Sequence, residues 1–289
     1  MAIQNTKISG RGRVSVKFIS LFFIALTIWA AGPAGAQGES VYLELAPSNR
    51  LSSKLPDLTV RHLSHRAAGP ECPRNVLNLD FFYPQGFGRP GIDEAVAGAI
   101  TSEFEERRDE GRDQFFCGRE LCGSASCGLW AMEKTFAVYN SSPRFVSVLF
   151  TEESYTGGAH GNLDFSVLNF DLENDRPMTL TDLFPSPEKS LPAYWGHVYA
   201  EWCRNRGVNF PLHFKTEEKC QPEESLQTPD EFQEAGQLED LGRLIFTSLG
   251  ATLLLGPYES GSYASGSQAL DLPKEMLMEI GANPAIWLE

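Results

Sequence analysis

The chain has 289 residues, a formal net charge of −14 and an apolar share of 42%, enough for a sizeable core in one large domain or two small ones. The acidic balance argues against nucleic acid as a partner, because binding a phosphate backbone rests on Lys and Arg, and against adsorption to anionic lipid. It fits plain solubility, or a cationic partner drawn in by the field.

At the N-terminus Lys7, Arg11, Arg13 and Lys17 precede a mostly apolar run, Phe18 to Ala31, and small residues ending Ala34-Gly35-Ala36. That layout predicts a signal peptide over residues 1–36. The run is shorter than the about 20 apolar residues of a membrane span, and an uncleaved anchor is the alternative. The expected location is periplasmic or extracellular after cleavage near Ala36, with no stable membrane span remaining. Loss of the four cationic side chains takes the net charge from −14 to −18.

Residues 37–70 carry few large hydrophobes after Leu45 and read as a leader or linker. Over Val76 to Tyr83, Leu77, Leu79, Phe81 and Tyr83 alternate with Asn78 and Asp80, the period of a half-buried strand. Ile92, Val96, Ala99, Ile100 and Phe104 then follow three-to-four spacing, which predicts an amphipathic helix. The stretch 109–128 has no clear period and reads as a stapled loop. Trp130 to Asn140, Phe145 to Phe150 and Leu163 to Asp171 read as an antiparallel meander, with "NSSPR" as its first turn and "YTGGAHGN" as its second. A second helix runs from Ser186-Pro187 to Gly207. Its aromatic face, Tyr194, Trp195, Val198, Tyr199 and Trp202, is expected in the core. Residues 216–242 are acidic and polar. A hairpin over Leu244 to Ser248 and Ala251 to Leu255 follows, then a terminal helix near Lys274 to Ile280. The predicted class is α+β: an antiparallel sheet, meander plus C-terminal hairpin, packed against amphipathic helices with disulfide-stapled loops.

Six cysteines, Cys72, Cys117, Cys122, Cys127, Cys203 and Cys220, form an even set in a chain expected outside the cytoplasm, which favours disulfides. The five-residue intervals of Cys117, Cys122 and Cys127 do not match the usual two-to-four spacing of zinc pairs. Cys203 and Cys220 flank a polar loop and are a reasonable pair.

The sequence contains no G-x-S-x-G, H-E-x-x-H, Walker A loop or dinucleotide fingerprint, and no cofactor or metal is expected. His62 and His65 fall in the leader, His197 on the aromatic helix and His213 between two cysteines. That leaves His160. A catalytic role would need Asp164 or Asp171 to orient its ring, yet those two are seven residues apart, on opposite faces of one strand. The alternative is a bend, in which Gly157, Gly158 and Gly161 permit positive φ, Asn162 tolerates left-handed backbone, and Tyr155 and His160 bond to loop carbonyls. Contact with a partner is the third role open to this loop.

"YTGGAHGN" followed by "NFDLENDRPMTLTDLF" resembles the central motif of the DUF3298 family, and "GATLLLGPYESGSYASGSQALDLPKEML" is similar to its closing segment. "VLNLDFFYP" and the helix after it look like the DUF4163 region that often precedes it. The resemblance covers roughly residues 75–280, divided as a DUF4163-like part, 71–151, and a DUF3298-like part, 152–289, in one compact unit. Members include RsiV-like extracellular domains that sense lysozyme. The resemblance implies an exported module that binds a cell-wall fragment or a basic wall-active protein, with no catalytic residues to carry over. Its candidate contact residues are Tyr155, Gly157, Gly158, His160, Gly161, Asn162, Tyr258 and Tyr263. A non-enzymatic recognition module is therefore expected. The alternatives are an envelope scaffolding protein without a small ligand and a wall-glycan hydrolase using His160.

Overall fold

The computed structural model describes residues 4–6, 51–52, 54–69, 75–115, 129–157, 160–209, 241–257 and 266–288. Of the residues singled out above, Gly158, Tyr258, Tyr263, His213, Cys72, Cys117, Cys122, Cys127 and Cys220, with the side chain of Cys203, lie outside the described residues. So does the expected apolar signal run.

Seven strands form one sheet in sequence order: β1 (Gln4–Thr6), β2 (Thr59–Ala68), β3 (Val76–Gln85), β4 (Leu129–Asn140), β5 (Phe145–Tyr155), β6 (Asn162–Asp171) and β7 (Arg176–Pro177). The β4–β5–β6 meander is present as expected. The sheet is nevertheless mixed and not wholly antiparallel, because β3 and β4 run parallel. Parallel neighbours need a crossover, and α1 (Pro90–Phe115) supplies it.

Two further stretches differ from expectation. Residues 109–115 continue α1 where a loop is predicted. Within the predicted linker, Thr59 to Ala68 form β2, in full antiparallel register with β3. This places His62 and His65 in a folded strand.

The C-terminal hairpin, β8 (Leu244–Thr247) and β9 (Gly250–Leu255), does not extend the main sheet. It joins β10 (Gln268–Pro273) in a separate three-stranded antiparallel sheet. Gly250 turns the chain there with φ of +152°, and a Cβ on it would fall 2.1 Å from the carbonyl oxygen of Leu272. Three helices complete this half: α2 (Leu180–Leu183), α3 (Pro187–Asn209) and α4 (Lys274–Glu279).

Burial follows the two periods. On β3, Leu77, Leu79 and Phe81 meet Ile92, Val96, Ile100 and Phe104 of α1 in the first core, each large side chain contributing roughly 1.5–3 kcal/mol when fully buried. Gly111 lets α1 lie close on the sheet, since a Cβ there would stand 2.7 Å from the Trp130 ring and 2.8 Å from Leu77. Tyr194, Val198 and Trp202 of α3 pack with Phe246, Leu253 and Leu270 in a second core, as expected of the aromatic face. A third, smaller core joins the sheets through Leu149, Phe165, Val167, Ile245 and Leu254.

The conspicuous "NFDLENDRPMTLTDLF" motif holds these parts together. Asn169 donates to the carbonyls of Leu241 (3.1 Å) and Leu244 (2.9 Å) and accepts from Ser147 (2.5 Å). Ser147 in turn accepts from the Phe246 amide (2.9 Å). Asp171 takes a two-pronged bond from Arg144 (2.9 and 2.5 Å) and one from the Asn174 side chain (2.7 Å). Burial alone would raise the Asp171 pKa, but the bonds from Arg144 and Asn174 outweigh it and leave it lowered. Asp175, at φ of 52°, accepts from the amides of Gly91 and Ile92 (both 3.0 Å). It thus caps α1 from across the fold.

Candidate functional site

Gly157 has φ of 91°, a conformation costly to any residue with a Cβ. A Cβ on Gly161 would stand 3.0 Å from the Ser154 carbonyl oxygen, a tight contact at the mouth of the hairpin. His160 is exposed, and its Nδ1 lies 3.0 Å from the carbonyl oxygen of Gly161, the geometry of a ring N–H holding the turn. The carboxylates that a catalytic His160 would need are engaged elsewhere. Asp164 accepts from Arg243 (3.0 Å) and from the Phe165 amide (2.8 Å), and Asp171 is buried at the far end of β6 against Arg144.

Beside this turn lies an open groove of about 500 Å³ lined by Asn78, Ala131, Met132, Glu133, Glu153, Ser154, Tyr155, Gly161, Asn162 and Leu163. Of the expected contact residues it gathers Tyr155, Gly161 and Asn162. Glu133 and Glu153 in its wall are not among the contact residues that the sequence suggests.

Strand alternation sets its charge. Leu79 of β3, Met132 and Lys134 of β4 and Glu152 of β5 lie on the side of α1, so Asp80, Glu133 and Glu153 share the opposite face. Asp80 pairs with Glu133 in the parallel ladder, and Glu133 with Glu153 in the antiparallel one. Three carboxylates therefore stand in a row on neighbouring strands, whose backbones lie about 4.8 Å apart. Like charges on facing positions repel. Partial desolvation in the groove, then Glu153 and Asp80, raise the Glu133 pKa above the usual carboxylate range, against the pull of His62. The residue as a whole remains exposed.

At the far side of the row, His62 Nε2 lies 2.8 Å from Asp80 Oδ1, and its ring stacks on Phe82 at 4.3 Å. Asn78 donates to the other Asp80 oxygen (2.9 Å). His62, which on sequence grounds falls in a leader, thus belongs to a carboxylate–imidazole pair bordering the groove. The register could have been read in part: Glu133 and Glu153 are equidistant from Pro143 in the turn that joins β4 to β5.

The other face of the same strands handles its charge differently. Lys134, only 3% exposed, lies between Glu103 of α1 and Glu152 (3.2 Å to the latter). Arg107 approaches Glu152 at 3.8 Å and Glu110 at 3.1 Å. Desolvation raises the Glu152 pKa, with Lys134 opposing it. This cluster locks α1 to the sheet.

Among the described residues, no group of three or more His, Cys, Asp and Glu has the arrangement to hold a metal ion, and no helix is long and apolar enough to cross a membrane.

No family model matches the sequence, and no curated protein does. Solved structures do match the fold. A DUF3298 family protein from Pseudomonas aeruginosa, at 19% identity, covers 80% of this chain and 97% of its own, with a TM-score of 0.50. A member of the same family from Bacteroides fragilis, also at 19% identity, covers 79% and 95%, with a TM-score of 0.43.

Proposed function

We propose that this protein, which has the fold of a DUF3298 family protein, is an exported, non-catalytic recognition module whose contact surface is the acidic groove beside the glycine turn. The partner is a basic wall-active protein such as a lysozyme, with a peptidoglycan fragment as the alternative ligand.

One observation carries this reading: Glu133 and Glu153 present aligned carboxylates in an open groove that also holds Tyr155, Gly161 and Asn162. Carboxylates on an open sheet face accept charge-assisted hydrogen bonds from a Lys or Arg side chain. The chain's overall negative charge speeds encounter with a basic protein. The test is calorimetric titration of the protein with lysozyme and with muropeptides at low and high salt. Binding that weakens with salt, and weakens further in Glu153→Gln, is expected. Absence of binding to both at low salt ends the proposal.

A wall-glycan hydrolase is the second reading, and a specific observation favours it. Glu133 and Glu153 occupy facing strand positions, and Glu133 holds its proton to higher pH than an ordinary glutamate, the pairing of roles on which glycosidases rely. On this reading the acid–base work moves from His160 to Glu133 and Glu153. Muropeptide turnover lost in Glu133→Gln, with the fold retained, would select it over simple binding.

A further inference from the structure

The main sheet ends on two unlike edges. β7 is two residues long and finishes on Pro177, which cannot donate to a further strand. β2 has ten residues and no proline, and it pairs with β3 in unbroken register from Thr59 to Ala68. A long, regular edge presents a row of backbone N–H and C=O groups ready to pair with another strand. This edge does take one. β1 pairs antiparallel with it at Val60, Arg61 and His62, and no strand among the described residues pairs with Leu63 to Ala68 on that side.

β1 is not available to an exported chain. Residues 4–6 belong to the basic leading part of the expected signal peptide, which stays on the cytoplasmic side and is lost on cleavage. Export thus empties the outer side of β2 from Val60 to Ala68. The chemistry along this edge is one-sided: Arg61, His62, His65 and Arg66 lie on β2, and no Asp or Glu does. Full antiparallel pairing of two copies of β2 would set Arg61 of each opposite Arg66 of the other, and like charges on facing positions repel. An acidic strand meets the same arginines with opposite charge.

We propose that the outer edge of β2 is a strand-acceptor site, which takes an extended acidic segment of a partner protein as the next strand of the sheet. Main-chain hydrogen bonds supply the attachment. Arg61 and Arg66, which project from opposite faces of the strand, select the charge of the incoming segment. No residue of β2 lines the acidic groove, so the site is distinct from the groove contact and shares with that reading only the premise of export.

The experiment adds a peptide alternating Glu and Thr, about eight residues long to span Val60 to Ala68, to the isotope-labelled protein recovered after export. A peptide alternating Lys and Thr is the control, and mass spectrometry reads the N-terminus of the protein. Amide shifts are expected along Val60 to Ala68 with the acidic peptide and not with the basic one. Arg66→Glu, at an exposed position, should weaken binding of the acidic peptide about fivefold and leave the rest of the spectrum unchanged. Shifts absent from β2, or an equal response to both peptides, overturn the site. Concentration-dependent shifts of the same amides without peptide assign the edge to a second copy and overturn the acidic partner. An intact N-terminus removes the export premise alone: the site then stands if the acidic peptide shifts Leu63 to Ala68, and falls if it does not.

Discussion

One face of the main sheet is built in two ways along the same strands. Toward the middle of β5, Leu149 packs with Phe165 and Val167 beneath Ile245 and Leu254 of the second sheet, and little is exposed. Toward its end, Glu153 and Tyr155 share that face with Glu133 and stand in an open groove. Strand alternation alone decides which side chains share a face. Whether that face becomes core or contact surface depends on what covers it. Covered, it holds the two sheets together; uncovered, it leaves Glu133 and Glu153 exposed in an open groove.

Substitutions along this face can break the comparison. Leu149→Ala, in the covered half, should cost about 3 kcal/mol of unfolding free energy, the usual price of an unfilled core cavity, read from denaturant melts. Asn169→Ala should cost about 2 kcal/mol, because it strands the Leu241 and Leu244 carbonyls between the sheets. Asp175→Ala, which uncaps α1, should cost about 1 kcal/mol. In the open half, Glu153→Gln should change stability by less than about 0.5 kcal/mol while weakening lysozyme binding. A large stability loss from Glu153→Gln, or none from Leu149→Ala, would erase the distinction between the two halves.

Acidity sharpens it further. Glu133, Glu152 and Asp271 have raised pKa values, each chiefly through desolvation. Groups raised in the folded state add stability that is complete below their unfolded values and lost as pH rises through the folded ones. Asp182 has a lowered pKa through its bonds with Arg176, and Asp171 a lowered one because Arg144 and Asn174 outweigh burial. Their contribution is lost as pH falls below the ordinary aspartate value of 3.8. Thermal melts should therefore show stability rising modestly from neutral pH toward about 4.5 and falling below 3.8. A monotonic loss on acidification from neutral pH would contradict this assignment.

The parts of the fold legible in the sequence are those with local periods. The meander alternates cleanly, and the apolar spacing from Ile92 to Phe104 announces α1. The end of α1 is hidden because residues 109–115 are mostly polar and its close approach uses a glycine, Gly111, which carries no apolar signal. β2 is hidden because Arg61, His62, His65 and Arg66 interrupt any alternation, a pattern suited to a strand near a sheet edge. The parallel pairing of β3 with β4 spans the whole of α1 and has no local trace at all. At the site, the glycine turn was visible, while the carboxylate row depends on register between strands. Only the Glu133–Glu153 half of it could have been reached, by counting outward from Pro143.

The most direct measurement is amide chemical-shift mapping of the labelled chain during titration with lysozyme at low salt. The account predicts perturbations concentrated at residues 131–133, 153–155 and 161–163, lost when Glu133 and Glu153 are both replaced by glutamine. Perturbations confined to another face of the protein, or unchanged by that replacement, would contradict it.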